Sequence, residues 1–112
     1  MSLADFDREA GLACMEGDES LYDAVVAVFY QQLTGEFAGL PMALRERHSE
    51  AVSRQVHTLK GSAGSVGAKR LEAAASAVDR ELKSGVSEVS TSLIDELDSA
   101  LHSAIDVMQT GD

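Results

Sequence analysis

The sequence predicts an all-α protein, an antiparallel four-helix bundle with an additional short N-terminal helix. Aromatic residues make up only 4% of the chain and tryptophan is absent, a composition that suits close helix–helix packing. Apolar residues recur every three or four positions through most of the chain, which is the helical period. Glycines interrupt these stripes. A chain of 112 residues is long enough for one core, so residues 1–112 are predicted to form a single domain.

The first two helices are predicted from short apolar stripes and their capping residues. Phe6, Ala10 and Ala13 predict a first helix from about Leu3 to Glu16, ended near Gly17. Asp18 offers an N-cap oxygen for a second helix that continues into the mid-thirties. The stripe of that helix is Leu21, Val25, Val28, Phe29 and Leu33.

The stretch from Gly35 to His48 is ambiguous, because Gly35, Gly39 and Pro41 interrupt an otherwise apolar pattern. A loop, a kinked helical extension and a short helix with Pro41 in its first turn all fit. Ser49 and Glu50 then resemble the start of the next helix.

A helical hairpin and a last long helix are predicted for the rest of the chain. One helix runs to about Val66, with Gly67 as a left-handed C-cap, and the next begins almost at once and ends at Gly85. A connection this short requires antiparallel helices. The last helix runs from about Ser90 to Met108. The stripes of these three helices are Val52, Val56, Leu59, Ala63 and Val66; Leu71, Ala74, Ala75, Val78 and Leu82; and Ile94, Leu97, Leu101, Ala104, Ile105 and Met108.

Charge and composition argue against several classes of partner. A net charge of −10 disfavours nucleic acid and anionic membranes. No apolar run approaches the roughly 20 residues that cross a bilayer, and no signal peptide is evident. The single cysteine, Cys14, excludes an internal disulfide and is predicted to be a small buried hydrophobe. We therefore expect a cytoplasmic monomer without direct membrane contact.

The charges are unevenly distributed. Eight basic and five acidic residues lie between positions 45 and 83, which gives that segment +3, whereas one basic and fourteen acidic residues give the remainder −13. The positive segment either steers the protein towards a carboxylate-rich partner or consists of ordinary solvated helix faces.

A second face of the central helix carries the most informative residues. His57 lies beside the apolar stripe and shares its face with Lys60, Gly61 and Gly64, at i+3, i+4 and i+7. Each glycine inside a helix costs roughly 1 kcal/mol relative to alanine. The glycines permit either close packing of a neighbouring helix or the approach of a partner's reactive group to the imidazole.

The stretch from His57 to Leu71 reads His-Thr-Leu-Lys-Gly-Ser-Ala-x-x-Val-Gly-Ala-x-x-Leu. It resembles the signature of histidine-containing phosphotransfer (HPt) domains of bacterial phosphorelays, and the resemblance extends from about Phe6 to Met108. It implies an antiparallel four-helix bundle. It also implies that His57 accepts a phosphoryl group from an aspartyl phosphate on one response-regulator receiver domain and passes it to another receiver.

Two lysines are candidates for offsetting phosphoryl charge. Lys60 is one turn from His57, and Lys83 lies on the neighbouring helix. The resemblance supports Lys60 strongly and Lys83 weakly. We expect no cofactor on this chain, magnesium on the receiver, and phosphoryl transfer without synthesis or hydrolysis of ATP.

Asp79 is the candidate for orienting the imidazole. His57 lies ten residues before Gly67 and Asp79 twelve after it, so the two should stand at similar heights on adjacent helices. Many HPt domains have glutamine at the matching position, and those of chemotaxis kinases have glutamate. Because aspartate is shorter, a direct hydrogen bond, a bridging water and no contact all remain open. The alternative role is an exposed i,i+4 pair with Lys83.

Other readings of the motifs fit less well. The glycines lack P-loop spacing, and the sequence lacks the paired Glu-x-x-His motifs of di-metal bundles. His48 and His102 have neither flanking glycines nor a lysine at i+3, so both are predicted to be surface or helix-end residues. The surviving rival is a helical adaptor that docks through Gly61 and Gly64 while His57 stays unphosphorylated.

The sequence leaves the origin of the chain open. Met1, Ser2 and Leu3 have the form of a vector-derived start, which would make this a domain cut from a larger protein such as a hybrid sensor kinase at the inner membrane. The other possibility is a stand-alone protein.

Overall fold

The computed structural model describes residues 6–46, 50–86 and 88–109, and these residues form six helices and no strand. The helices are α1 (Arg8–Cys14), α2 (Glu19–Thr34), α3 (Leu40–Glu46), α4 (Glu50–Val66), α5 (Lys69–Lys83) and α6 (Thr91–Gln109). Helices α2, α4, α5 and α6 each pack against two others of the four, so they form a closed bundle. The predicted all-α bundle is therefore confirmed.

Contacts at the helix ends show that the bundle is antiparallel. The hydroxyl of Tyr22, at the start of α2, donates a 2.8 Å hydrogen bond to the carbonyl of Val66 at the end of α4. Arg70, near the start of α5, binds Glu96 of α6, whereas Glu81, near the end of α5, accepts from Ser90 just before α6. Between the helices lies a core of fully buried side chains, the largest of which are Phe29, Phe37, Leu33, Leu40, Leu59, Leu71 and Leu97.

Helix α1 begins later than the predicted start near Leu3. Phe6 and Asp7 are not helical, and the Asp7 side chain caps the helix by accepting a 3.0 Å hydrogen bond from the Ala10 N–H. The backbone N–H of Asp7 is bound to the Gly67 carbonyl at 2.6 Å, which holds this residue extended and outside the helix. Residues 1–5 lie outside the described ranges.

The face by which α1 packs agrees with the prediction only in part, since Phe6 and Ala10 are half-buried as predicted. Gly11 is buried and Leu12 and Met15 are half-buried, whereas Ala13 and Cys14 are exposed. The predicted burial of Cys14 is wrong because close contact of Gly11 with the end of α4 fixes the rotation of this short helix. A Cβ at Gly11 would lie only 2.5 Å from the Val66 carbonyl oxygen.

Gly67 joins α4 to α5 and confirms the predicted left-handed cap. Its φ is +78°, and the N–H groups of Gly67 and Ala68 bind the carbonyls of Gly64 and Ala63 in the pattern of a Schellman motif. A Cβ at Gly67 would also collide with the Asp7 carbonyl. Glycine is thus required both by the backbone angle and by the packing of the segment before α1.

The ambiguous stretch contains a turn followed by a short helix. Helix α3 begins at Leu40, which places Pro41 in its first turn, where the missing N–H removes no helical hydrogen bond. Phe37, Leu40 and Leu44 are buried, so this segment closes one end of the core. Residues 47–49, including the predicted helix start at Ser49, lie outside the described ranges, and α4 is helical from Glu50. None of the helices described is long and apolar enough to span a membrane.

Candidate functional site

His57 stands on the outer face of α4, next to the apolar stripe that anchors the helix. Val56 and Leu59 are completely buried, whereas 61% of the His57 side chain is exposed. The burial of its neighbours fixes the helix against the bundle. The imidazole is therefore presented to solvent from a rigid element.

One carboxylate oxygen on α5 gathers three side chains around the predicted site. Oδ2 of Asp79 lies 3.0 Å from Nζ of Lys60, 3.0 Å from Nζ of Lys83 and 3.7 Å from Nδ1 of His57. The Asp79 side chain is only 6% exposed. The structure thus brings together four of the predicted site residues, and the estimate from helix rise that placed His57 and Asp79 at similar heights is confirmed.

The two lysines keep Asp79 ionised despite its burial. Burial alone raises the pKa of the Asp79 carboxyl, but hydrogen bonds and charge from Lys83 and Lys60 outweigh it and hold that pKa below its ordinary value. With both lysines protonated, the three groups together carry a charge of +1. The site is therefore locally positive in an acidic protein.

The surroundings of Asp79 bear on both roles that its sequence position allowed. A separation of 3.7 Å is too long for a hydrogen bond, so the structure shows no direct bond from Nδ1 of His57 to the carboxylate. The ring nevertheless turns Nδ1 towards Asp79, which leaves Nε2 on the opposite side of the ring. The i,i+4 pair with Lys83 is present, but it is not an exposed pair because the Asp79 carboxylate is buried.

The two glycines that follow His57 have different surroundings. A Cβ added at Gly61 would meet no atom within 4 Å, so the backbone there is open to solvent. A Cβ at Gly64 would lie 2.8 Å from a carboxylate oxygen of Glu72, whose side chain covers this glycine. A partner can thus approach the helix backbone freely at Gly61, whereas at Gly64 the Glu72 side chain must first move.

An open cleft of about 370 Å³ lies beside His57, between the first half of α4 and the end of α5. Asp79, Lys83 and Leu82 line it from α5. From α4, its lining includes Arg54, which also lines a second cleft of about 290 Å³ beside the turn before α3. Arg54 is not among the predicted site residues, although its position three residues before His57 places both on one helix face.

The other histidines do not join this site. His102 is exposed on α6, with Nδ1 2.9 Å from the Asp98 carbonyl oxygen, as expected for a surface residue. His48 lies outside the described residues. Within residues 6–46, 50–86 and 88–109, no group of three or more histidine, cysteine or acidic side chains is placed to hold a metal ion.

An antiparallel helical bundle that presents an exposed histidine beside lysine and bare glycine backbone is the architecture of a phosphotransfer module. A family model described as "Hpt domain" matches residues 24–109, which include all six predicted site residues. The chain therefore belongs to the family of histidine-containing phosphotransfer domains. Such domains carry a phosphoryl group on a histidine in two-component phosphorelays and interact with response-regulator receiver domains. Comparisons with curated proteins and with solved structures gave no match.

Proposed function

We propose that His57 is the phosphoacceptor of this domain, taking a phosphoryl group from the aspartyl phosphate of one receiver and delivering it to an aspartate of another. The observation that supports this most directly is an exposed imidazole whose Nδ1 faces the Asp79 carboxylate. A proton held on Nδ1 leaves the lone pair of Nε2 available to a partner.

The chemistry requires no acid or base on this chain beyond the imidazole itself. Nε2 attacks phosphorus as the P–O bond of the acyl phosphate breaks, and the bonding electron pair leaves with the receiver's carboxylate. The phosphorylated ring then carries positive charge, which the Asp79 carboxylate 3.7 Å from Nδ1 stabilises. Return of the phosphoryl group to an aspartate reverses these bond changes.

The surroundings of His57 support docking of a receiver. The open backbone at Gly61 gives room for the receiver's phosphorylated loop, and the local positive charge complements its acidic pocket. Lys60 and Lys83 each lie 3.0 Å from Oδ2 of Asp79, and we expect their ammonium groups to leave this carboxylate and bind phosphoryl oxygens during transfer. We expect the magnesium ion to belong to the receiver, and most of the rate to come from positioning within the complex. We further propose that the domain acts as a monomer in the cytoplasm.

Intact-protein mass spectrometry after incubation with a phosphorylated receiver tests this function. Wild type should gain one acid-labile phosphoryl group and His57→Gln none, whereas His102→Gln should behave as wild type because His102 lies outside the site. Circular dichroism checks that the variants fold. Absence of an adduct on folded wild type, or its persistence on His57→Gln, would contradict the proposal and favour an adaptor that only docks.

A further inference from the structure

Arg54 is exposed on α4, about one turn before His57, whereas Gly61 lies about one turn after it. The three residues are at i−3, i and i+4, so they follow one another along a single helix face. Side chains three residues apart on a helix have Cβ atoms about 5–6 Å apart. The guanidinium of Arg54 is therefore within reach of a group carried on the His57 ring.

Arg54 differs from the two lysines at the site, and from two other arginines of the bundle, because no acidic side chain neutralises it. Lys60 and Lys83 are bound to Asp79, while Arg45 and Arg70 are bound to Asp95 and Glu96 of α6. Among the described residues from 50 to 83, Arg54, Lys69 and Arg80 form no ion pair. Of these three, only Arg54 lines the cleft that contains His57.

Glu50 is the acidic residue best placed to compete for Arg54. It lies one turn earlier on α4 and lines the same cleft, yet it forms no ion pair with Arg54 in the described part of the chain. The guanidinium thus remains available to an incoming anion. Its planar fork of N–H donors matches two oxygens of a phosphoryl group, which a lysine ammonium cannot do.

We propose that Arg54 binds the non-bridging oxygens of the phosphoryl group while that group is transferred to and resides on His57. This inference rests on the proposed function, since it requires phosphorylation of His57. Arg54 stays protonated throughout and neither gives nor takes a proton. The N–P bond forms and the acyl P–O bond breaks as described above, with Arg54 contacting the reacting oxygens.

The matched test compares Arg54→Gln with Arg80→Gln. Both changes remove one exposed arginine charge from the α4–α5 hairpin, but Arg80 lines neither cleft described. With a phosphorylated receiver as donor, we expect Arg54→Gln to load His57 roughly tenfold more slowly, as for loss of a charged hydrogen bond, and Arg80→Gln to load as wild type. Arg54→Lys should recover part of the rate.

A second measurement distinguishes contact with the phosphoryl group from contact with the receiver. The receiver is removed after loading, and the ³¹P resonance of the isolated phosphodomain is followed against pH. A bound guanidinium favours the fully ionised phosphoryl group, so its titration midpoint should be lower in wild type and Arg80→Gln than in Arg54→Gln. A merely structural role of Arg54 would not move this midpoint.

Each outcome decides one of the two proposals. Equal loading by Arg54→Gln and Arg80→Gln overturns the role of Arg54 and leaves His57 as phosphoacceptor. Slow loading of Arg54→Gln with an unchanged ³¹P titration also overturns it, and assigns Arg54 to receiver docking. Failure of folded wild type to load overturns the proposed function itself, and the inference with it.

Discussion

Oδ2 of Asp79 lies 3.7 Å from Nδ1 of His57, although the two residues are on different helices and separated by the Gly67 turn. The same oxygen binds the ammonium groups of Lys60 and Lys83. Asp79 therefore has two effects on the site. It places negative charge beside Nδ1 of His57, and it holds the ammonium groups of the two lysines.

Replacing Asp79 by asparagine should slow the loading of His57. The variant keeps the shape of the side chain but removes the charge that stabilises the phosphorylated ring. Because two lysines already offset much of that charge, we expect a moderate loss, roughly five- to tenfold. Rapid-quench kinetics with a phosphorylated receiver measures it, with the exposed Asp106→Asn on α6 as control. Loading as fast as this control, or faster, would contradict the stabilising role and indicate that Asp79 mainly restrains the lysines.

The ionisation of Asp79 should also appear in the pH dependence of stability. Its pKa in the folded protein lies below the ordinary value of 3.8, so the folded state binds its proton more weakly than the unfolded state. The resulting stabilisation is present above the ordinary pKa and is lost as pH falls through the folded pKa. Urea unfolding should therefore show a stability difference between wild type and Asp79→Asn that is largest near pH 7 and shrinks below about pH 4. A difference that stays constant across this range would contradict the ion-pair account.

Gly61 and Gly64 should respond differently to alanine. At Gly61 the new methyl group meets no atom, so Gly61→Ala should raise the free energy of unfolding by about 0.5–1 kcal/mol through helix propensity. At Gly64 the methyl group must displace the Glu72 carboxylate, so the gain should be smaller or absent. Urea unfolding measures the free energy of unfolding of both variants. Equal increases would show that the Glu72 carboxylate moves aside without loss of stability.

A larger side chain at Gly61 tests whether its open backbone serves the partner. Gly61→Leu should fold, because the position faces solvent, but should load more slowly from a phosphorylated receiver through steric conflict. Gly61→Ala, which adds only a methyl group, is the variant of intermediate size in this comparison. Normal loading of Gly61→Leu would indicate that the receiver approaches His57 from another side.

Much of the helical framework follows from local signals in the sequence. The Asp18 side chain caps α2 by accepting a hydrogen bond from the Leu21 N–H, and Gly67 caps α4, both as predicted. These caps, the α4–α5 hairpin and the stripes of α4, α5 and α6 depend on periodicity and turn chemistry, which act over a few residues. The exposed His57 and its proximity to Asp79 also follow, because helix rise and a short turn fix their relative heights.

The features of the fold and the site that could not be predicted depend on contacts between residues far apart in the sequence. Helix α1 starts at Arg8 because Asp7 is bound to Gly67, sixty residues away, and Cys14 is exposed because Gly11 sets the rotation of α1. The pairing of Lys60 with Asp79 depends on side-chain geometry across two helices. The position of Arg54 on the face of His57 could be predicted from the sequence. Its lack of an ion pair could not, because that depends on the side chains that surround it in the structure.

Gly67, at the junction between α1 and the hairpin, has nearly the same backbone angle as Gly85 but different surroundings. Gly67 and Gly85 have φ values of +78° and +85°, but a Cβ at Gly85 meets nothing within 4 Å, whereas one at Gly67 collides with Asp7. Gly85→Ala should therefore cost about 1–2 kcal/mol, the strain of a left-handed alanine. Gly67→Ala should cost clearly more and undock the segment before α1, which amide hydrogen exchange at Asp7 and Gly11 would detect. Equal losses in the two variants would mean that the contact between Asp7 and Gly67 contributes little to stability.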